Sequence, residues 1–362
     1  MSRYVRFVRH MADYFILYLG NYGLTKLIRP RPDYVEIRVT EGCNSRCITC
    51  EAWKNPRANE LTTSEMKDVL RQLRKMSVEI VRISGGEPLI RSDLRAIVEE
   101  CTLLGFKETH IATNGLLLKE KARDLIRKGA TRFDVSLDGE SSTNDFIRGV
   151  SGHYAAVIEG INEVKRIERE VHRRVPITIF TTLMKQNIGE VPSLVRMCEK
   201  MGLRWCFSLL CGNLDFFQGL EIAKLAERDW RMIDRTIDYL EDTYRRKPWL
   251  IYSNQEILEY ARNFMKGRLD LYEFPCVLGY TVMCVGAEGQ IYPGCYVHKP
   301  VGNVRERPIE EILRSPEYRQ LAERMYRREC PNCTFYYEKS ILARHMFIRT
   351  DAVRRIVRSK HT

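Results

Sequence analysis

The chain has 362 residues, of which 44% are hydrophobic and 29% charged, and it carries a formal net charge of +12. A chain of this length can bury a substantial core and form one large domain with a smaller one. It contains no apolar run of about 18 residues, which excludes a membrane-spanning helix. The positive charge suits nucleic acid, an anionic lipid surface or a phosphorylated molecule as a partner.

Residues 1–32 predict a basic amphipathic helix. Arg3, Arg6 and Arg9 alternate with aromatic and aliphatic residues, which indicates a helix packed on the main domain; peripheral contact with a membrane surface is the alternative. Asp13 interrupts the apolar stretch and no small-residue cleavage site follows, so a signal peptide is not indicated. We therefore expect a cytoplasmic protein, whose 12 cysteines favour metal ligands over disulfides.

From residue 33 to residue 230, short apolar runs alternate with helical patterns. This alternation predicts parallel strands covered by helices, that is, a partial (β/α)6 TIM-like barrel of the α/β class. The predicted strands are Val35–Val39, Ile80–Ser84, Thr109–Thr113, Phe133–Leu137, Ile177–Leu183 and Trp205–Leu210. The predicted helices are Ser64–Met76, Leu94–Leu104, Glu120–Lys128, Tyr154–Arg169 and Val191–Met201. Thr62 and Glu65 form a capping-box pattern at the first helix.

The remaining chain divides into three parts. Residues 231–269 predict linker helices, one of which starts near Asp229. Proline, glycine and cysteine then become frequent, which marks residues 270–338 as a small cysteine-rich α+β domain. Residues 339–362 are rich in arginine and predict a basic helical tail.

The first predicted strand leads into a loop with the spacing C-x3-C-x2-C, formed by Cys43, Cys47 and Cys50. Three thiolates on one loop can bind three corners of an iron–sulfur cube and leave the fourth iron open for chemistry. Structural zinc, the alternative, takes four closed ligands, and no histidine lies near this loop. The spacing therefore favours an iron–sulfur cluster with an open iron.

The later strands also end in polar or glycine-rich motifs. Loops that follow parallel strands converge on one face of a barrel, so these motifs are candidates for a shared ligand site. Taken singly, each motif is an ordinary turn, and a single cysteine is an ordinary small buried residue. The candidate residues are Gly85, Gly86, Glu87, Asn114, Ser136, Asp138, Arg148, Leu183, Asn187 and Cys211.

The cysteine loop, followed by Gly85-Gly86-Glu87-Pro88, resembles the radical S-adenosylmethionine (SAM) superfamily, with Thr49 where that family often has an aromatic residue. The resemblance implies a [4Fe–4S] cluster on the three cysteines that binds SAM through its open iron. It also implies an electron donor such as flavodoxin or ferredoxin.

The same resemblance implies roles for the strand-end residues. Gly85, Gly86 and Glu87 correspond to the motif that binds the SAM amino group, and Asn114 belongs to the same set of cofactor-binding residues. The remaining matches are Ser136 and Asp138 near the methionine or ribose, Arg148 on the SAM carboxylate, and Leu183 and Asn187 around the adenosine.

A second cysteine group lies between residues 276 and 333. A hairpin followed by a distant C-x2-C knuckle is also how zinc ribbons are built, so zinc is an alternative for this group. The segment resembles the shortened auxiliary-cluster domain, called twitch, that is related to the SPASM domain of radical SAM enzymes. That resemblance implies one auxiliary iron–sulfur cluster, expected to be [4Fe–4S], with Cys284 spare or replacing Cys276. Its predicted ligands are Cys276, Cys295, Cys330 and Cys333. No cysteine follows the last of these, so we expect the one-cluster form.

By this resemblance, the reduced cluster splits SAM into methionine and a 5′-deoxyadenosyl radical, which removes hydrogen from a substrate C–H bond. About 33 residues before the barrel cannot form a leader-peptide-binding domain, and the sequence lacks the Gly-Gly tail of molybdenum-cofactor cyclases. We therefore predict oxidation or epimerisation of a small molecule such as a sugar or nucleoside. A peptide or protein substrate is the alternative within the superfamily.

Cys211 follows the sixth predicted strand and is a candidate hydrogen-atom donor to a substrate radical. The alternative from another functional class is a non-catalytic zinc protein that binds nucleic acid through its basic surface. The radical SAM enzyme predicted above, by contrast, is not expected to bind nucleic acid.

Overall fold

The computed structural model describes residues 30–54, 59–210, 225–268 and 276–330. Most of the predicted N-terminal helix, the whole basic tail, Cys211 and Cys333 lie outside these ranges. The predictions for those parts of the chain stay predictions.

The described strands form one sheet. In chain order they are β1 (Tyr34–Arg38), β2 (Ile80–Ser84), β3 (Glu108–Thr113), β4 (Arg132–Ser136), β5 (Ile177–Leu183), β6 (Arg204–Leu209), β7 (Val282–Val285), β8 (Gln290–Pro293) and β9 (Gly302–Asn303). Their order across the sheet is β6-β5-β4-β3-β2-β1-β7-β8-β9. Strands β1 to β6 pair in parallel with their neighbours, as expected for successive βα units of a partial barrel.

Helices connect the parallel strands and continue beyond them. In chain order they are α1 (Thr63–Lys75), α2 (Leu94–Leu103), α3 (Leu118–Lys128), α4 (Ser141–Arg148), α5 (His153–Val171), α6 (Val191–Lys200), α7 (Trp230–Arg246), α8 (Gln255–Met265), α9 (Leu278–Thr281), α10 (Ile309–Arg314) and α11 (Pro316–Tyr326). None of these helices is both long enough and apolar enough to cross a lipid bilayer.

Helix α1 begins at the predicted capping box. The Glu65 N–H donates to the Thr62 hydroxyl at 3.3 Å, and the Thr62 N–H donates to the Glu65 carboxylate at 2.8 Å. These two bonds satisfy N–H groups that have no partner within the first helical turn. Met66 and Leu70 then follow at helical spacing and are buried in the main core.

The two faces of the parallel sheet differ in chemistry. Val35 and Ile37 of β1 are fully buried in the core that the helices cover. Because successive side chains of a strand point to opposite faces, Glu36 lies on the other face, and Arg82 of β2 contacts it there. The helix-covered face thus supplies most of the apolar burial, and the inner face of the partial barrel is free to be polar.

The C-terminal module continues the barrel sheet directly. Strand β7 pairs in parallel with β1, from Tyr34 opposite Val282 to Ile37 opposite Val285. Strands β8 and β9 then extend the sheet in antiparallel pairing. The small cysteine-rich module therefore shares backbone hydrogen bonds with the strand that leads into the first cysteine loop.

Candidate active site

The first cysteine loop follows β1 at the carboxyl edge of the parallel strands. Two backbone bonds attach it to the end of α4: the Arg46 N–H donates to the Arg148 carbonyl at 3.0 Å, and the Ile48 N–H donates to the Ile147 carbonyl at 2.9 Å. The loop that carries Cys43, Cys47 and Cys50 is thus positioned by the protein's own backbone.

The Gly85-Gly86 pair lets two strand-end loops approach closely. A Cβ on Gly85, whose φ is +149°, would lie 2.3 Å from the Thr40 carbonyl oxygen, and one on Gly86 would lie 2.3 Å from the Gly42 carbonyl oxygen. The Gly86 N–H donates to the Thr40 carbonyl at 2.8 Å. The glycines therefore bring the loop after β2 against the cysteine loop, where the sequence analysis expected them to approach a ligand.

Each cysteine of the loop has a hydrogen-bond donor directed at its sulfur. The Ser45 N–H lies 3.4 Å from Cys43 Sγ, and the Ala52 N–H lies 3.4 Å from Cys50 Sγ. Arg148 Nη1 donates to Cys47 Sγ at 3.9 Å. Donors in these positions favour the thiolate form, which is the form that binds metal.

Burial acts against ionisation of the same three thiols. It raises the pKa of Cys43 to about 11 and also raises the pKa values of Cys47 and Cys50. The nearby Arg148 charge lowers the pKa of Cys47 in part. Without a bound metal the thiols are therefore protonated near neutral pH, and loading of the site releases protons.

Asn114, at the end of β3, contacts the cysteine loop directly. Its Nδ2 donates to Asn44 Oδ1 at 2.7 Å and to Ser45 Oγ at 3.0 Å, and it lies 3.9 Å from Cys43 Sγ. The predicted site residue therefore holds the segment between the first two cysteines.

Glu87 is completely buried behind these loops. Its carboxylate accepts hydrogen bonds from the Asn114 N–H at 2.6 Å, the Thr113 hydroxyl at 2.7 Å and the Leu89 N–H at 3.0 Å. Burial raises its pKa to about 7, although these donors oppose the shift. Both carboxylate oxygens connect the loops after β2 and β3, and the predicted contact of Glu87 with the SAM amino group stays a prediction.

Asp138 and Arg148 form a buried ion pair beside the cysteine loop. Arg148 Nη2 lies 2.6 Å from Asp138 Oδ2, and both side chains are nearly inaccessible to solvent. The Thr182 N–H donates to Asp138 Oδ1 at 2.7 Å. Arg148 Nε is buried and has no hydrogen-bond partner among the described residues. An anionic group next to Cys47 can satisfy this donor.

Asn144 and His153 support this ion pair, and the sequence analysis did not identify either. The Asp138 N–H donates to Asn144 Oδ1 at 3.0 Å, and Asn144 Nδ2 lies 3.1 Å from His153 Nδ1. Burial lowers the pKa of His153 to about 4, so its ring is neutral near pH 7. In the sequence, His153 directly precedes the predicted helix Tyr154–Arg169, and that position alone does not indicate a buried contact with Asn144.

The remaining predicted residues lie at neighbouring strand ends. Ser136 is half-buried at the end of β4, and Leu183 is buried at the end of β5. Asn187 is fully buried; its Oδ1 accepts the Met184 N–H at 2.9 Å, and its Nδ2 donates to the Thr182 carbonyl at 2.7 Å. The Asn187 amide thus stabilises the turn after β5, and its predicted contact with adenosine stays a prediction.

A chain of ion pairs crosses the inner face of the sheet. Arg82 Nη1 lies 2.8 Å from Glu36, and Arg82 Nε lies 3.0 Å from Asp134. Arg132 Nε lies 2.9 Å from the other oxygen of Asp134. The sequence analysis did not use these residues, although charged residues inside strands of a parallel sheet are the available signal, because such strands usually read as continuous apolar runs.

The second cysteine group is also brought together. Cys284 and Cys295 are buried in a small apolar cluster with Leu278 and Met325. The partly buried residues packed against this cluster include Cys276, Cys330, Tyr292, Tyr296, Val297 and Leu321. The described cysteines of the second group therefore pack against one apolar cluster, and the choice between Cys276 and Cys284 as a cluster ligand stays open.

A cation and an aromatic ring join the two cysteine groups. The Arg38 guanidinium lies 5.4 Å from the centre of the Tyr296 ring, which follows Cys295 in the chain. The same guanidinium is bonded to the Glu41 carboxylate at 3.0 and 2.5 Å. The C-terminal module is thus in contact with the segment that enters the first cysteine loop.

The side chains fit the cofactors that the sequence analysis expected. Three thiols with N–H donors, together with a buried unpaired arginine donor, match a cluster with three cysteine ligands beside an anionic ligand. Among the described residues no three His, Cys, Asp or Glu side chains are placed to enclose a single metal ion. An iron–sulfur cube does not need its ligands around a single ion, because each cysteine binds a different iron.

Comparison with known proteins agrees with this site. The family model described as the radical SAM superfamily matches residues 37–198, and the SPASM model, an iron–sulfur cluster-binding domain, matches residues 276–334. The first match covers the barrel strands through helix α6, and the second covers the auxiliary cysteines.

Among characterised proteins, an AdoMet-dependent heme synthase of Methanosarcina barkeri is 27% identical over 304 residues, covering 81% of this chain and 85% of that protein. A GTP 3′,8-cyclase of Marinobacter nauticus is 28% identical over 238 residues, covering 64% of this chain and 67% of that protein.

Among solved structures, Streptococcus suis SuiB bound to S-adenosylmethionine has a TM-score of 0.64 at 21% identity, covering 84% of this chain and 70% of that one. This likeness confirms the partial barrel with its C-terminal iron–sulfur domain. The family matches decide against a non-catalytic zinc protein, and they imply SAM, a SAM-binding [4Fe–4S] cluster and an auxiliary cluster as cofactors. The chain therefore belongs to the radical SAM superfamily, as an enzyme with a C-terminal SPASM iron–sulfur domain.

Proposed function

We propose that this enzyme removes hydrogen from a C–H bond of an anionic small molecule and thereby oxidises or epimerises it. The observation that carries the proposal is the meeting of the cysteine loop, Asn114 and the Asp138–Arg148 pair at one edge of the sheet. These groups come from separate strand ends, and ligands of barrels built from βα units bind where such ends converge.

The cofactors supply the difficult chemistry: when bound, the reduced cluster supplies an electron to SAM, which then supplies a 5′-deoxyadenosyl radical. The protein's own residues supply position and charge. Arg148 can donate through its unpaired Nε to the SAM carboxylate, while Asp138 fixes the guanidinium from the other side.

The inner face of the sheet suits a polar substrate. Arg82 and Arg132 share Asp134, so this face presents fixed dipoles and charges inside the partial barrel. Preorganised groups of this kind orient a polar substrate without much rearrangement.

The substrate class is supported by the two relatives described above. They are named for making heme and for cyclising GTP, and both names refer to anionic small molecules. The net charge of +12 also favours an anionic substrate. The likeness to SuiB, at 21% identity, concerns the fold, so a peptide substrate is retained as an outcome of the experiment below.

The test starts with anaerobic purification and measurement of iron and sulfide. We expect SAM and a reductant to yield 5′-deoxyadenosine, and Arg148→Ala to weaken SAM binding strongly. Arg123→Ala is the matched control, because Arg123 of helix α3 pairs with Glu163 and Glu170 of helix α5, which are not part of the candidate site. A protein that binds iron but forms no 5′-deoxyadenosine under any reducing condition would contradict the proposal.

The substrate class is tested with fractionated cell extract. We expect anionic, low-mass fractions to increase the formation of 5′-deoxyadenosine. When the extract is deuterated, deuterium from the substrate should appear in the 5′-deoxyadenosine. Stimulation only by peptide fractions would replace the small-molecule proposal with a peptide-modifying one. Comparison of products from Cys211→Ala and the parent enzyme then tests the predicted hydrogen-atom donor, because an epimerase needs such a donor and an oxidase does not.

A further inference from the structure

His298 contacts a predicted ligand of the auxiliary cluster. Its Nε2 lies 3.1 Å from Cys330 Sγ, although 32 residues separate the two in the chain. The sequence analysis did not consider His298, and neither family match assigns it a role. It lies in the segment after Cys295, next to Val297, which packs against the cysteine cluster.

The distance from His298 Nε2 to Cys330 Sγ shows whether His298 is a hydrogen-bond partner of this cysteine or a further ligand of the cluster. In a cubic cluster each protein ligand binds a different iron, so the ligating atoms lie well apart. A nitrogen at 3.1 Å from the sulfur is within hydrogen-bonding distance of it. His298 is therefore placed as a partner of the Cys330 ligand rather than as an additional ligand.

The chemistry of the pair sets the direction of the hydrogen bond. A thiolate bound to iron has no proton and can only accept. His298 Nε2 must then carry the proton and donate it, which fixes the tautomer of the ring. The resulting N–H···S bond removes negative charge from the sulfur and so favours the more negative, reduced state of the cluster.

We propose that His298 donates a hydrogen bond to the Cys330 thiolate and raises the reduction potential of the auxiliary cluster. The inference depends on Cys330 being a ligand, and it does not depend on the proposed substrate. Through it, the enzyme sets how readily the auxiliary cluster accepts an electron.

The experiment uses the full-length chain with Cys43, Cys47 and Cys50 all replaced by alanine, so that only the auxiliary cluster gives a signal. In this background, redox titrations followed by electron paramagnetic resonance compare the parent, His298→Ala and His298→Gln. His172→Asn is the matched control, because His172 is exposed at the end of helix α5. Iron and sulfide are counted for each variant.

We expect His298→Ala to keep its iron and to show about a tenfold lower ratio of reduced to oxidised cluster at a fixed potential. A tenfold change corresponds to about 59 mV for one electron, and it is the size expected for one hydrogen bond to a charged group. His298→Gln retains an N–H donor and should recover much of the shift, while His172→Asn should match the parent.

Two results would overturn the proposal. An unchanged potential in iron-replete His298→Ala would show that the contact does not affect the cluster. Loss of auxiliary iron from both His298→Ala and His298→Gln would assign His298 to the ligand set or to folding of the module. Neither result depends on SAM cleavage, so failure of this inference is distinct from failure of the proposed function.

Discussion

The two cysteine groups of this protein are built in opposite ways. Cys43, Cys47 and Cys50 lie on one loop, whose backbone is bonded to the end of helix α4. The second group draws Cys276 and Cys330 together from segments on either side of strands β7 to β9. The first group is therefore positioned by backbone bonds to the barrel, whereas the second lacks a comparable single loop.

The surroundings of the two groups differ in the same sense. The first group lies beside the buried ionisable side chains of Asp138, Arg148 and Glu87. The second packs against apolar residues such as Leu278 and Met325. Buried charges beside a metal indicate a site that receives a ligand, and an apolar enclosure indicates a site that closes around its metal. The comparison suggests that the auxiliary cluster also acts as a crosslink for its module.

The largest expected effects come from removing one cysteine from each group. Cys47→Ala should abolish 5′-deoxyadenosine formation while the melting temperature stays near that of the parent, because the loop is attached by backbone bonds. Cys295→Ala should instead lower the melting temperature clearly and expose the C-terminal module to proteolysis, because Cys295 is a predicted cluster ligand and metal binding is coupled to folding in small metal-binding modules. Thermal unfolding and limited proteolysis, both under anaerobic conditions, measure these effects.

The control for both variants is Cys198→Ala, because Cys198 is a buried core residue of helix α6. It should retain both clusters and lose only the stability expected for a small buried side chain. Equal destabilisation by Cys47→Ala and Cys295→Ala would remove the proposed difference between the two groups.

A smaller effect is expected from filling the contact between two strand-end loops. Gly86→Ala places a Cβ within 2.3 Å of the Gly42 carbonyl oxygen and 2.5 Å of the Glu41 carbonyl oxygen, and backbone atoms cannot yield as a side chain can. Displacement of the cysteine loop should cost about 1–3 kcal/mol of stability and reduce the iron bound by the first group. The auxiliary cluster should be unaffected, as its spectroscopic signal can show.

Gly189→Ala is the matched control for this substitution. Neither glycine has a left-handed φ, and the new Cβ at Gly189 would meet only the end of Met232, with its Sδ at 3.1 Å. Met232 is 45% exposed and can move aside. If Gly189→Ala and Gly86→Ala lose the same amount of iron, steric contact with the cysteine loop is not the cause.

Much of this fold could be predicted because its local signals agree. Strands β2 and β5 have the predicted bounds, and the other barrel strands differ by about one residue. Alternating apolar runs, a capping box and turn residues all indicate the same elements, so that errors are confined to their ends. Helix α4 was missed, because only Asn144 and Ile147 of its eight residues are buried and its N-terminus has no side-chain cap.

The contacts within the site could not be predicted in the same way. The sequence identified Glu87, Asp138 and Arg148, but burial and pairing decide what each carboxylate contacts. Nothing local indicates that Glu87 accepts three hydrogen bonds inside the protein or that Asn144 connects Asp138 to His153. Such contacts join residues far apart in the chain, and they follow only once the register of the sheet is known.

The smallest expected effect concerns Glu87, whose pKa of about 7 exceeds its ordinary value of 4.5. Between pH 4.5 and pH 7 the folded protein therefore binds more protons at Glu87 than the unfolded chain does, and its stability falls as pH rises. The loss attributable to Glu87 levels off above pH 7, where the carboxyl is ionised in both the folded and the unfolded chain. Glu87→Gln cannot titrate, so the melting temperature of the parent minus that of the variant should decrease from pH 5 to pH 8.

Glu65→Gln, in the first turn of helix α1, provides the control. The hydrogen bond from Arg305 lowers the pKa of Glu65 to about 2, so Glu65 stays ionised from pH 5 to pH 8. Its substitution should shift the melting temperature by the same amount at every pH in this range. If the melting temperature of the parent minus that of Glu87→Gln is also constant from pH 5 to pH 8, the three donors keep Glu87 ionised over this whole range. The Glu87 carboxylate would then be a permanent negative charge that accepts the Asn114 N–H. The first cysteine group would thus have one more fixed charge beside it, which the apolar surroundings of the second group lack.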